Sequence, residues 1–150
     1  MIYISKATHN DINIIVGFQI AMALETENMI LNEETVSKGV KKIIANPQIG
    51  SYYTAIIDDE IVGCLLTLYE WSDWRNAFVI WIHSVYVSPS SRKKGVFQNL
   101  FEYLKNIVNY DPNFVGLRLY VEKNNVKAQN VYEKSGMNKH HYELYEWLKG

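Results

Sequence analysis

The sequence predicts an α/β protein of the α+β kind: a mixed, mostly antiparallel central sheet of about six to seven strands, with helices on both faces. Three observations carry this expectation. Three β-rich runs follow one another between helical segments. One of them, AFVIWIHSVYV (77–87), is apolar at both odd and even positions, as in a strand buried on both faces. Finally, residues 77–122 read as strand, helix, strand, which implies a parallel pair joined by a right-handed crossover.

The elements follow in order along the chain. IYISKA (2–7) alternates and reads as a first strand. Thr8 and Asp11 have capping-box spacing, and Ile12, Ile15, Val16, Ile20 and Leu24 recur with helical period, so a helix is predicted over 10–26. Asn32 is placed to cap a second helix, with Glu33 and Glu34 in its first turn and Val36, Val40, Ile43 and Ile44 as its stripe. Pro47 ends it. SYYTAIIDDEIVGCLLTLYEW reads as a hairpin around Asp58, Asp59 and Glu60. Val96, Phe97, Leu100, Phe101, Leu104, Ile107 and Val108 form a helical stripe over 95–108, in which Phe97 is expected to point into the core. VGLRLYVE (115–122) is a strand, and NVKAQNVYEKSG (125–136) a short helix closed by Gly136. The aromatic, alternating tail (139–148) reads as a last strand or two. With no linker, repeat or low-complexity stretch, one domain is expected over 1–150.

Composition narrows the function. The chain carries a formal charge of −1, so no global basic field draws nucleic acid or anionic lipid, and neither partner is expected. Cys64 is the only cysteine, which excludes an internal disulfide. MIYISKATHND turns polar too soon for a signal peptide, and the longest strongly apolar run, FVIWI, is too short to span a membrane. A reduced, cytoplasmic protein is the expectation. No P-loop, GxGxxG, HExxH, CxxC or GxSxG pattern is present. His9, His83, His140 and His141 lack the spacing of a metal site, so no metal is expected.

What remains is the turn SPSSRKKGVF between the long strand and the next helix. A helix start carries partial positive charge and prefers acids. Here Arg92, Lys93 and Lys94 stand in a row before Gly95. That arrangement suits an anion gripped by backbone N–H groups. It also fits a solvated basic turn before a core helix, and the turn alone does not choose.

The larger pattern does. The strand, then R-x-x-G, a helix, a second strand and NxxAxxxYxxxG together resemble the Gcn5-related N-acetyltransferase (GNAT) superfamily. The matching stretches are Arg92 to Phe97 and Asn125 to Tyr132, with Gly136 closing the second. The resemblance implies a GNAT-like fold and acetyl-CoA as cofactor. It assigns Val85, Tyr86 and Val87 to the pantetheine arm, and Arg92, Lys93, Lys94, Gly95, Val96 and Phe97 to the pyrophosphate. Phe97 departs from the pattern, which has a small residue there. Asn125, Ala128 and Tyr132 share one helix face, and the resemblance places all three at the cofactor, with Tyr132 as general acid. Without it, Tyr132 reads as a tyrosine packed under the sheet.

An attacking amine must also lose a proton. His83 lies nine residues before Arg92, a spacing similar to that of a catalytic histidine in the serotonin N-acetyltransferase branch. It also reads as a satisfied core histidine. Glu70 is the rival base, or a solvated acid at a strand end. Glu25, Glu27, Trp71, Asp73 and Trp74 are expected at the acceptor site, where acids and aromatics suit a cationic amine. The same residues read equally as helix-end and turn chemistry, with Arg75 available to Asp73. The expected activity is transfer of acetyl from acetyl-CoA to a primary amine of a small molecule or peptide, by direct attack in a ternary complex. The alternative is a non-catalytic acyl-CoA-binding regulatory module. The aromatic tail offers a surface for a homodimer.

Overall fold

A computed structural model describes residues 1–150. The chain divides into two compact units, Met1–Leu119 and Tyr120–Gly150.

The first unit is built on five strands in the order β1-β2-β3-β4-β5. These are β1 (Tyr3–Lys6), β2 (Gly50–Ile57), β3 (Glu60–Ser72), β4 (Ala77–Val87) and β5 (Phe114–Leu119). Pairing is antiparallel from β1 to β4, and β4 pairs with β5 in parallel. The mixed sheet and the crossover agree with the sequence expectation. The strand number does not, because the tail 139–148 forms no strand. Alternation shows which face a strand would bury; it does not supply a ladder partner. Tyr142, Tyr145 and Trp147 are instead among the most exposed side chains.

Local chemistry accounts for the element boundaries. The β2–β3 turn places Asp58 and Asp59 at φ 50° and 64°, the left-handed pair of a hairpin turn whose twist matches the strands. Gly50 is demanded by close approach, since a Cβ there would lie 1.9 Å from the Thr67 carbonyl oxygen. A 3-10 turn (His9–Asp11) leads into α1 (Ile12–Glu27), which ends at Asn28 with φ 50°. Asn32 caps α2 (Glu33–Ala45), its side chain accepting from the Thr35 N–H at 2.8 Å. Along α3 (Val96–Tyr110), Val96, Leu100, Phe101 and Leu104 are buried to within 2%. Phe97 does not take the core place expected of it. It is half-buried and stacks on Phe101 at 5.9 Å, while Val96 is the first core residue.

Two hydrophobic layers sandwich the sheet. On one face, Ile15 and Val16 of α1 and Val40 of α2 pack with Tyr52, Cys64 and Leu66. Tyr53, pointing the other way, meets Tyr103 of α3 at 5.4 Å. Burial sets the chemistry of the inner hydroxyls and the thiol. It pushes the Cys64 thiol from 9.0 up to about 12. It pushes Tyr52 and Tyr53 from 10.0 up to about 12, with smaller contributions from Cys64 and from Tyr69 and Tyr103 respectively. The folded state therefore holds these protons more tightly than the unfolded chain. Their stabilising effect is complete below about pH 9 and is lost as pH rises toward 12. Denaturation midpoints are expected to fall over that range, less steeply in Tyr52→Phe and Tyr53→Phe. A midpoint flat in pH would show that these groups titrate as freely as in the unfolded chain.

The second unit contains α4 (Val126–Lys134), the helix expected over 125–136. Gly136, just beyond it, has φ +91°. No helix of the protein is long and apolar enough to cross a membrane.

Candidate active site

The site of interest begins where β4 loses a neighbour. β4 pairs with β3 at both of its ends, from Ala77 to Ile82 and from Ser84 to Val87, but with β5 only from Phe78 to Ile82, opposite Leu119, the last residue of β5. From His83 to Val87 one edge is open. A bulge marks the change: Thr67 faces Ile82 and Leu66 faces Ser84, so His83 is an extra residue with no partner across the ladder. Such a bulge bends and twists the strand and re-aims side chains. His83 is exposed here, not the core histidine that one reading allowed.

Beyond the bulge, Ser88 N–H donates to the Val62 carbonyl at 2.8 Å, so Ser88 faces β3. Antiparallel alternation then turns the main-chain groups of Tyr86 toward β3 and those of Val85 and Val87 toward the open side. Tyr86 is buried by its side chain. Its ring lies 5.1 Å from that of Phe18, and its hydroxyl donates to Glu25 Oε1 at 3.3 Å. Burial first, and then the Glu25 carboxylate, push its phenol up.

The chain next forms a 3-10 turn (Pro89–Ser91) and the basic turn. Lys93 has φ 62° and Gly95, at the N-cap of α3, has φ +81°. No side chain caps the helix and no acid lies in its first turn. Left-handed residues before an uncapped helix start present backbone N–H groups as an anion-binding concavity. A Cβ on Gly95 would meet only the Asn99 amide, at 3.8 Å. The glycine serves conformation there; space is not the constraint. Arg92 is held differently from its neighbours. Its Nε donates to the Val87 carbonyl at 2.9 Å, its Nη2 to Glu25 Oε2 at 2.7 Å, and its Cζ lies 5.6 Å from the Tyr86 ring centroid.

Glu70 is also engaged. Its two oxygens accept from Trp81 Nε1 at 2.7 Å and Arg118 Nη1 at 2.8 Å. Sheet register explains the meeting. Glu70 lies opposite Val79 on β3 and β4, and Arg118 lies opposite Trp81 on β4 and β5, so all four share a face.

The remaining acceptor candidates are scattered. Glu27 is exposed at the end of α1. Trp71, Asp73 and Trp74 lie at the β3–β4 hairpin, the far end of β4 from the basic turn, roughly 33 Å away along eleven residues. Trp71 packs edge-on to Phe78 at 5.0 Å, and Trp74 is 90% exposed. Asp73 accepts from its neighbour Trp74's N–H, and Arg75 donates to Ser72 Oγ, not to Asp73. Trp81 and Arg118 were not singled out by sequence. Only their shared register with the strand carrying Glu70 could have found them.

In the second unit, Asn125 caps α4, its Oδ1 accepting from the Ala128 N–H at 3.1 Å. Tyr132 is half-buried, and burial pushes its phenol up.

Comparisons with known proteins give this arrangement a family. The model of the acetyltransferase (GNAT) family matches residues 21–137. A streptothricin acetyltransferase of Escherichia coli is 36% identical over 84 residues, 56% of this chain and 45% of that protein. The chain thus spans less than half the length of this curated relative. The crystal structure of a possible acetyltransferase from Clostridium difficile 630 is 41% identical, covers 99% of this chain and 98% of its own, and superposes with a TM-score of 0.93. The enzyme AAC(6')-Iy, solved with a CoA bisubstrate analogue, has the same fold at 12% identity, covering 100% of this chain and 99% of its own with a TM-score of 0.81. The chain belongs to the acetyltransferase (GNAT) family.

Proposed function

We propose that the protein N-acetylates a primary amine carried by a small molecule or a peptide, acting over residues 1–150 as one acetyltransferase domain. The observation that carries this is the open edge of β4 running into the uncapped, basic start of α3. Acetyl-CoA is the acetyl donor of the family, and the residues present fit it. Val85 and Val87 offer main-chain groups to an amide-bearing arm. Lys93, Lys94 and the start of α3 offer charge and N–H groups to phosphates. When bound, acetyl-CoA would supply an activated acetyl group and a thiol leaving group.

The chain's own part is proton management and positioning. His83 is our first candidate to take the amine's proton. It stands exposed at the bulge, and a neutral imidazole nitrogen can accept a proton. Glu70 is already committed to Trp81 and Arg118, which suits it to holding the strands in register beside the site. Tyr132 is our candidate proton donor, since burial keeps its phenol protonated. Asn125 and Ala128 hold the start of its helix.

A thiol-release assay with acetyl-CoA tests the reading. The amine panel should include streptothricin, named by the relative above, together with aminoglycosides and peptide amines. Turnover is expected with at least one amine. CoA binding without turnover on any amine would instead support a non-catalytic binding module.

A further inference from the structure

We propose that Arg92 is a strut and not a phosphate ligand: it ties the end of α1 to the open edge of β4 and leaves the phosphate charge to Lys93, Lys94 and the start of α3. The proposal deepens the CoA reading of this turn and rests on it.

Arg92 is fixed from two directions. Nε donates to the Val87 carbonyl, on the open edge, and Nη2 to Glu25, which stands 67 residues away near the end of α1. Glu25 is in turn held by the Tyr86 hydroxyl, and the guanidinium lies over the Tyr86 ring. Swinging Arg92 onto a phosphate would break two charge-assisted bonds. It would also strand the Glu25 carboxylate close to an incoming anion. Neutralising Glu25 is therefore part of what makes the turn able to accept negative charge. Glu25 sits, moreover, at a helix C-terminus, where an acid opposes the dipole unless a cation answers it.

Lys93 and Lys94 are in a different condition. Both are exposed, and neither takes part in an ion pair. Flexible ammonium groups beside an uncapped helix start suit phosphate. The strut has a second consequence. The Val87 carbonyl already accepts one bond from Arg92, so the open-side main-chain groups that Arg92 leaves untouched are both those of Val85 and the N–H of Val87. Arg92 and Glu25 are thus positioning residues.

The test compares two ligands, CoA and pantetheine, which lacks every phosphate. Dissociation constants are measured by calorimetry or NMR titration. Arg92→Gln and Glu25→Gln are expected to weaken both ligands by the same factor, within about twofold. Lys93→Gln and Lys94→Gln are expected to weaken CoA alone, by about threefold to fivefold each, as befits one exposed charge contact. A tenfold greater loss for CoA than for pantetheine in Arg92→Gln would overturn the proposal. So would tighter CoA binding by Glu25→Gln, which would make the carboxylate a competitor of phosphate. A ligand-free readout separates this from the functional reading. The Arg92 Nε–H should give a resolved, slowly exchanging NMR signal that disappears in Arg92→Lys and weakens in Glu25→Gln. Persistence of that signal in a protein that fails to bind CoA would count against the functional reading and leave the clamp standing. Loss of the signal on adding CoA would overturn the strut.

Discussion

Tyr132→Phe is expected to lower kcat by about two orders of magnitude, the usual contribution of a positioned general acid, while CoA affinity stays within about twofold. The substitution removes one oxygen and leaves the ring, so packing in the second unit is kept. The raised phenol matters to the sign of the pH dependence. A donor must hold its proton until it is needed, and burial holds this one above the ordinary tyrosine value of 10.0. The alkaline fall in rate assigned to Tyr132 should accordingly lie above that pH and be absent in the Phe variant. Steady-state kinetics across pH, with calorimetric CoA binding beside it, checks both parts. Unchanged turnover in Tyr132→Phe would remove the tyrosine from the chemistry and revive the binding-module reading.

Gly95→Val is expected to raise the dissociation constant of CoA tenfold or more with little effect on folding. Gly95 sits at φ +81°, where an L-residue costs about 1–2 kcal/mol and a β-branched one more. Each 1.4 kcal/mol is about a factor of ten in affinity. The chain would relieve that cost by turning Gly95 out of the left-handed region, which redirects the N–H groups at the start of α3. The helix itself is anchored further along by Leu100, Phe101 and Leu104, so it should survive. Gly95→Asn is the control, because asparagine tolerates the left-handed region. It should retain most of the affinity despite its Cβ, for which there is room. Equal losses in the two variants would mean that a Cβ at this place obstructs the ligand and that φ is not the cause.

Elements whose evidence lies within a few residues were readable from sequence. The β2–β3 turn was marked by Asp58 and Asp59, which tolerate positive φ. Asn32 announced the start of α2, and its side chain makes the cap. The apolar run over residues 77–87 predicts a buried strand, and it forms β4. The same apolar run at both parities concealed the bulge, because a strand without alternation gives no sign of an inserted residue. His83 therefore had two readings, and only pairing with β3 separates them. Phe97 shows a similar limit. Helical phase placed it with Leu100, Phe101 and Leu104, yet a wide apolar stripe has a margin, and Phe97 lies on that margin, against Phe101.

By itself the sequence determined the element order as far as α4, the Asn32 and Asn125 caps, the basic turn with its glycine, and the family these imply, since each rests on local pattern and spacing. Only the tertiary structure decided that Glu25 belongs to Arg92 and Glu70 to Arg118 and Trp81, pairs separated by 67, 48 and 11 residues. It also decided that the tail adds no strand and that β4 opens after Ile82. The reason is physical. A cap or a turn is satisfied by neighbours in the chain, whereas an ion pair or a sheet edge depends on which distant segment folding brings alongside.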